Sequence, residues 1–598
     1  MLTILCNWIY ILITTYVTGH ALLFVFVKWL KYDRKLHFLP VMLTGFAIVT
    51  AYAGYFSIFH RVSIAANIGL ILSCIACMIV DRAHYGRFSV RFITIVRKFK
   101  RIFKRNFKEE PVHTGLVLLR LLQFGGAVLI LFVIVFYTCY GTFHTDSGLY
   151  HAQSIRWIEE YGVVKGEGLT QNRFGYNSAF FSVSALYSFA FLGQSLHGVN
   201  GYMAALVTIY AYYVITNAVF ERAFGKISTI VAFAPILYTV IGGLELISPS
   251  TDPILLYLVF AIILYWTQLL DADEEDVLPF ALLCVLTAFL VSVKLSVGVL
   301  ILLAVDPAVR LIRQKRVKEI VLCILSAVIL NLPYLIRNVI ISGWLIYPFP
   351  SLDLFDLPWK IPKGSAINDA NEIRTWARYV NDATKIDQSV FEWAPVWWQG
   401  QSQMERLFSL AALAALFFGL VWIVAAFIRL IRAAKVTGCD ERVLKLQKKL
   451  FLELIIVLSL LFWFFSAPLI RYGYLYLLLT PLMTIAVLKN DNAVTSTMQI
   501  LIPGVLTCIL LYPTGNLLYQ DVSYMHHNWS RQYAVFQKDY STAEVLEKAY
   551  AGTTFYYPVE PGTNVWYDAF PSVIYEENFA FMEPIGDSVA DGFKIRNK

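Results

Sequence analysis

The chain has 598 residues, of which 58% are hydrophobic and 15% charged, with a formal net charge of +8 and a mean hydropathy of +0.62. Soluble globular chains lie nearer roughly 45–50% apolar and about 25% charged. The composition therefore excludes a soluble multidomain enzyme, a disordered or fibrous protein and a disulfide scaffold. The apolar runs are continuous and not alternating, which excludes a β-barrel and leaves a multi-pass helical membrane protein.

A membrane span needs about 20 apolar residues. In chain order the apolar runs fall at 4–29, 38–59, 62–80, 115–140, 176–193, 199–220, 226–246 and 251–270, then at 278–293, 295–312, 319–340, 405–430, 450–469, 472–489 and 498–516. The first is too long for a cleavable signal peptide and lacks a basic start, so it reads as a retained span. Lys and Arg cluster in the connectors at 28–35, 81–108, 310–318 and 429–449, which the positive-inside rule makes cytoplasmic. That placement accounts for the net positive charge without nucleic acid, since no basic segment has a folded domain around it. Residues 141–175 and 341–404 and the tail from 517 are then external. Parity requires one of the three runs between 141–175 and 247–252 not to cross. The shortest, 176–193, opens with Tyr176, Asn177 and Ser178 and is read as the partial one. This gives about 14 crossings with both termini outside.

The expected fold class is an all-α polytopic membrane protein with a small α+β extracytoplasmic C-terminal segment. Its parts are a membrane module at 1–516, with external loops 141–175 and 341–404, and a segment at 517–598. Ser541-Thr-Ala-Glu544 is a capping box that predicts a short helix. Residues 553–575, rich in Thr, Tyr, Val and Phe with Pro-Gly turns, predict strands. Cys74 and Cys77 form a C-x-x-C inside an apolar run and read as packing residues on one helical turn.

The chemistry concentrates in the first external loop, which reads Gly141-Thr-Phe-His144-Thr-Asp146-Ser-Gly-Leu-Tyr150-His151 and continues through Arg156 to Glu159 and Glu160. A carboxylate directly after a span lies at the membrane–water boundary, where it serves as general base or metal ligand. The competing reading makes Asp146 or Ser147 the N-cap of the following helix. The spacing from Tyr150 to Ile158 predicts an amphipathic helix on the membrane surface. Arg173 reads as a phosphate contact or an interfacial anchor. Lys294, Arg337 and Arg471 all fall at the outer ends of spans, and their convergence points to an anionic, membrane-borne ligand. Arg120 falls towards the inner side and reads as snorkelling. Asp252 is a second acid beside Asp146, or a helix cap followed by Pro253.

These features resemble the GT-C superfamily of membrane glycosyltransferases. Asp146, in Thr145-Asp-Ser-Gly-Leu-Tyr150, matches that superfamily's acidic position in the first external loop. Pro333…Arg337-Asn338…Gly343-Trp-Leu-Ile-Tyr347-Pro348 looks like an element of its bacterial members, and Trp566-Tyr-Asp568…Pro571 is similar to the tail of one bacterial group. Ser147 stands where many members have a second acid, and Arg173-Phe-Gly-Tyr-Asn stands in place of a Lys-Pro-Pro element. The resemblance implies a GT-C-like bundle and an inverting glycosyltransferase with its active site on the extracytoplasmic face of the bacterial inner membrane, serving the cell envelope. It would transfer a sugar from a polyprenyl-phosphate-linked donor to a glycan or lipid acceptor. Asp146 would be catalytic. His144, His151, Arg156, Arg173, Lys294, Arg337, Arg471 and Tyr472 would bind substrate. Asp146 and Asp252 are the candidate ligands for a divalent metal ion, and no other cofactor is expected. The alternatives are a polymerase or ligase of lipid-linked glycans, and a transporter or flippase. The last predicts internal repeats and charged residues at the midplane on broken helices.

Overall fold

The computed structural model describes residues 1–32, 36–82, 84–86, 111–436, 441–489 and 496–596; the basic segment at 87–110 and Cys439 lie outside the described residues. Eleven described helices are long and apolar enough to cross a membrane, and Ile64–Val80, Ala179–Leu192, Ile227–Ile241 and Leu278–Val293 are shorter apolar helices. Every predicted apolar run is thus helical. The regular helix Ala179–Tyr187 has nine residues, a rise of about 14 Å, under half of the ~30 Å hydrocarbon core. It ends where Phe189 takes a left-handed conformation at φ 51°.

Two ends of the bundle are defined by contacts. At one, Arg316 pairs with Asp276 at 3.3 Å and Lys445 with Asp273 at 2.8 Å, and Asp271 accepts the N–H groups of Ile227 and Ser228. The connectors at 310–318 and 429–449 therefore both meet the acidic turn at 271–276. At the other, the Met1 amine donates to the Tyr533 carbonyl at 2.7 Å and Trp397 donates to the Pro468 carbonyl. The first two helices, Leu2–Trp29 and Phe38–Phe59, cross closely because glycine faces backbone. A Cβ on Gly45 would lie 1.7 Å from the Thr15 carbonyl oxygen, and one on Gly19 2.0 Å from that of Val41.

The last long helix, Ser496–His527, runs past residue 516. Beyond it, β1 (Val545–Tyr550) pairs antiparallel with β2 (Thr553–Pro558), and β3 (Met582–Pro584) with β4 (Phe593–Ile595). The helix expected after Ser541 is instead the strand β1. The two-residue loop Ala551-Gly552 has φ of 50° and 72°, the hairpin geometry that matches strand twist, and the pairing it closes overrides the local helix signal.

The loop helix Ala152–Glu160 corrects another expectation. It does not lie open on a surface. Ile155 and Ile158 join the main apolar core, while Trp157 packs with Phe555, Val573, Phe579, Met582 and Phe593 of the tail. Its polar side is met by tail carbonyls: Gln153 donates to those of Trp566 and Ala569. The loop at 141–175 and the tail share one core at the end of the bundle. Gly148 makes the junction: its carbonyl accepts the Val565 and Trp566 N–H groups, and a Cβ there would strike the Trp566 ring at 2.7 Å.

Candidate functional site

Asp146 precedes a wide helical turn at Ser147–His151, and its carboxylate makes no capping hydrogen bond. It accepts instead from Arg471 Nη2 at 2.7 Å. The loop is fixed by backbone ties: Thr142 N–H donates to the Leu244 carbonyl and His144 N–H to Ser248 Oγ at 2.7 Å. Those ties bring the turn Gly243–Ile247 and the start of Thr251–Asp271 beside the acid.

Ser250, not Asp252, caps that second helix, its hydroxyl accepting the Asp252 N–H. The Asp252 carboxylate is thereby free for other partners. It pairs with Lys294 and lies 3.2 Å from Arg471 Nε. Lys294 sits where helix Leu278–Val293 stops, in extended backbone at φ −159°, ψ 131°. The following limb doubles back, so that the Arg310 guanidinium lies over the Phe280 ring and Lys294 is left at the turn. Lys294 Nζ stands 3.6 Å from the Tyr472 ring centroid, a cation–π contact. Arg471 also donates to Tyr472 Oη at 3.2 Å, and His144 contacts its guanidinium.

Four distant segments thus place His144, Asp146, Asp252, Lys294, Arg471 and Tyr472 together. The charges balance, two carboxylates against two cations. Asp146, Arg471 and Lys294 keep 19%, 20% and 21% side-chain exposure, so the cluster is largely enclosed but not sealed. Burial pushes the Asp146 carboxyl up, but Arg471, His151 and His144 outweigh it and bring it down to about 2. Burial, reinforced by Arg471, lowers His144. Burial brings His151 to about 3. At neutral pH the acid is charged and both imidazoles are neutral.

Four predicted residues lie outside the cluster: His151, which is buried beside it, Arg156, Arg337 and Arg173. Arg156 donates to the Tyr567 and Asp568 carbonyls and stacks on Tyr567 and Phe570, which docks the tail. Arg337 is 3% exposed and donates to Asn177 Oδ1, Ser57 Oγ and the Gly162 carbonyl. Arg173 is half-buried, within electrostatic reach of Asp369 and Tyr176, and forms no hydrogen bond or ion pair among the described residues. Tyr176 in turn stacks on Tyr347. Glu245, at the rim of the cluster, was not singled out from sequence, though it interacts with Arg471, Asp252 and Asp146. Nothing in the local sequence Gly242-Gly-Leu-Glu245 marks it.

The expected metal ligands do not fit an ion as placed. Arg471 bridges Asp146 and Asp252, so a cation already stands between the two carboxylates.

An apolar cavity of about 730 Å³ lies among the helices Leu2–Trp29, Phe38–Phe59, Leu278–Val293 and Val317–Ser342. It begins near Tyr32 and His37 at the connector end. A separate cavity of only about 10 Å³, scarcely room for one water, is also lined by Ala51 and Leu330 and by Asn177 and Arg337. Ser178, next to Asn177, donates to the Val293 carbonyl, one residue from Lys294.

No curated protein and no solved structure matches the chain. A family model described as Domain of unknown function (DUF8201) matches residues 1–478, a span that takes in all six residues of the cluster, and the chain belongs to that family.

Proposed function

We propose that the protein is an integral membrane glycosyltransferase of GT-C type, moving a sugar from a polyprenyl-phosphate-linked donor to an acceptor hydroxyl. The observation that carries this reading is the convergence of Asp146, Asp252, Lys294 and Arg471 at one end of an apolar bundle. The basic connectors at the opposite end support an extracytoplasmic position for the cluster.

In this reading the apolar cavity takes the lipid tail. Lys294, Arg471 and the uncommitted Arg173 receive the phosphate, whose charge grows as the glycosidic bond breaks. Paired with Arg471, Asp146 is a weak base, because its proton affinity is far below that of an ordinary carboxylate. A phosphate that draws on the Arg471 N–H groups weakens that pair, and the carboxyl rises. Donor binding thereby arms Asp146 to accept the proton of the attacking hydroxyl. Single displacement at the sugar carbon inverts its configuration. A transporter would carry its ionisable residues at mid-membrane, whereas these sit at a bundle end beneath the loops.

The test is to incubate the purified protein in nanodiscs with a panel of polyprenyl-phosphate sugars and candidate acceptors. The reading expects release of the polyprenyl phosphate with formation of a glycosylated product. Movement of intact donor between leaflets without bond cleavage would overturn it in favour of a flippase.

A further inference from the structure

Away from the cluster, at the end that bears the basic connectors, the structure gathers another set of ligating groups. His20 lies on the first helix, Leu2–Trp29. Asp81 closes the helix Ile64–Val80, and His84 follows three residues later, its N–H donating to the Asp81 carbonyl at 3.0 Å. One ligand atom from each of the three lies within 4.8 Å of the other two.

His20 is 6% and Asp81 8% exposed. Neither His20 Nδ1 nor Asp81 Oδ2 has a hydrogen-bond partner among the described residues. The two atoms face each other at 3.6 Å, too far for a hydrogen bond. Bonds of about 2.0–2.2 Å to a tetrahedral ion would hold two donors roughly 3.4 Å apart. The separation therefore suits two atoms directed at a common ion. The imidazoles of His20 and His84 stack at 3.7 Å between centroids, and the two rings must swing apart to present their nitrogens to one tetrahedral ion. His84 Nε2 also meets Tyr16 Oη at 3.2 Å, the kind of contact that orients a ligating imidazole.

We propose that His20, Asp81 and His84 form a binding site for a divalent transition-metal ion of the zinc type. Two imidazoles and one carboxylate suit Zn²⁺ or Co²⁺, whereas Mg²⁺ and Ca²⁺ prefer all-oxygen sets. Three protein ligands leave one position for water or another ligand. The ion would satisfy both orphaned atoms and pin the first helix to the end of the third. It is independent of the glycosyltransferase reading.

The probe is Co²⁺, added to the full-length protein purified without a histidine tag and stripped with a chelator. One Co²⁺ per chain should bind, giving visible d–d absorption that Zn²⁺ abolishes and Mg²⁺ does not. His20→Ala, Asp81→Asn and His84→Ala should each lose the band, and a His526→Ala/His527→Ala double variant should keep it. Absence of the band in the unmodified protein, its survival in His84→Ala, or its loss in the His526/His527 variant would each overturn the site. Should the ligand variants fail to fold, the unmodified protein decides: Zn²⁺ should raise its Tm over that in chelator, and an unchanged Tm would overturn the proposal.

Discussion

Arg471 and Arg337 carry the same sequence signal, an arginine near the end of an apolar helix, yet the fold uses them differently. Arg337 is sealed among neutral acceptors from three segments, Asn177, Ser57 and Gly162. Arg471 faces two carboxylates at a partly open cluster. A guanidinium that meets neutral acceptors in the interior is a brace, because its bonds tie segments together. A guanidinium held by acids beside an opening can exchange one anion for another. The comparison teaches that burial of an ionisable group locates structure and site alike, and that the charge of its partners separates them.

The largest expected effect breaks the comparison directly. Arg337→Met leaves buried acceptors unsatisfied and should lower stability by about 3 kcal/mol or more, read as loss of monodisperse protein or a large fall in Tm. Arg471→Met should leave most of the stability and weaken donor use roughly ten- to a hundredfold, the worth of a charge-assisted contact of about 1.5–3 kcal/mol. A reversed pattern, with Arg337→Met folded and inactive, would exchange the two roles.

A second, intermediate effect concerns pH. Burial raises the Glu167 carboxyl to about 8, against the pull of Arg337, and raises Glu159 to about 7. Each is protonated in the folded chain over a window where the unfolded chain has lost the proton. Stability therefore falls as pH rises from about 4.5 through about 8. Asp146 acts in the opposite sense: its contribution is present above its ordinary value of 3.8 and is lost as pH falls towards about 2. Thermal scans between acidic and mildly alkaline pH should show a falling Tm, and Glu167→Gln should flatten that fall. An equally steep fall in the variant would show that Glu167 is ionised in the fold.

The smallest effect sharpens the role of Asp252. Ser250→Ala should cost about 1 kcal/mol, the worth of an N-cap, with little change in donor use. Asp252→Asn should keep the helix start intact and disturb Lys294 and Arg471. If Asp252→Asn costs only stability and Ser250→Ala costs activity, the assignment of cap and charge is inverted.

The apolar runs were readable because a span announces itself by length and composition, and all of them are helices. The nine-residue helix at Ala179 was signalled by the polar start Tyr176-Asn-Ser178. Asp146, Lys294 and Arg471 stood out because charge is costly in apolar surroundings. Their pairing did not, since Asp146 and Arg471 are 325 residues apart and no local pattern encodes the contact. Arg156 looked like a ligand contact because its partners are backbone carbonyls of the tail, which leave no mark in sequence. The strand at Val545 was hidden by a capping box, because hairpin closure at Ala551-Gly552 is decided by backbone conformation. His20, Asp81 and His84 carry no joint signature; a helix crossing brings the first to the other two.

The most direct test of the central claim is the variant Asp146→Asn, assayed side by side for donor binding and for glycosyl transfer. Asn keeps the size of the side chain and an oxygen for Arg471, but not the charge or the proton affinity. The account predicts that the variant folds, binds polyprenyl-phosphate sugar about as well as the unmodified protein, and loses transfer by about 10²–10⁴-fold. Near-normal transfer by a folded Asp146→Asn protein would contradict it.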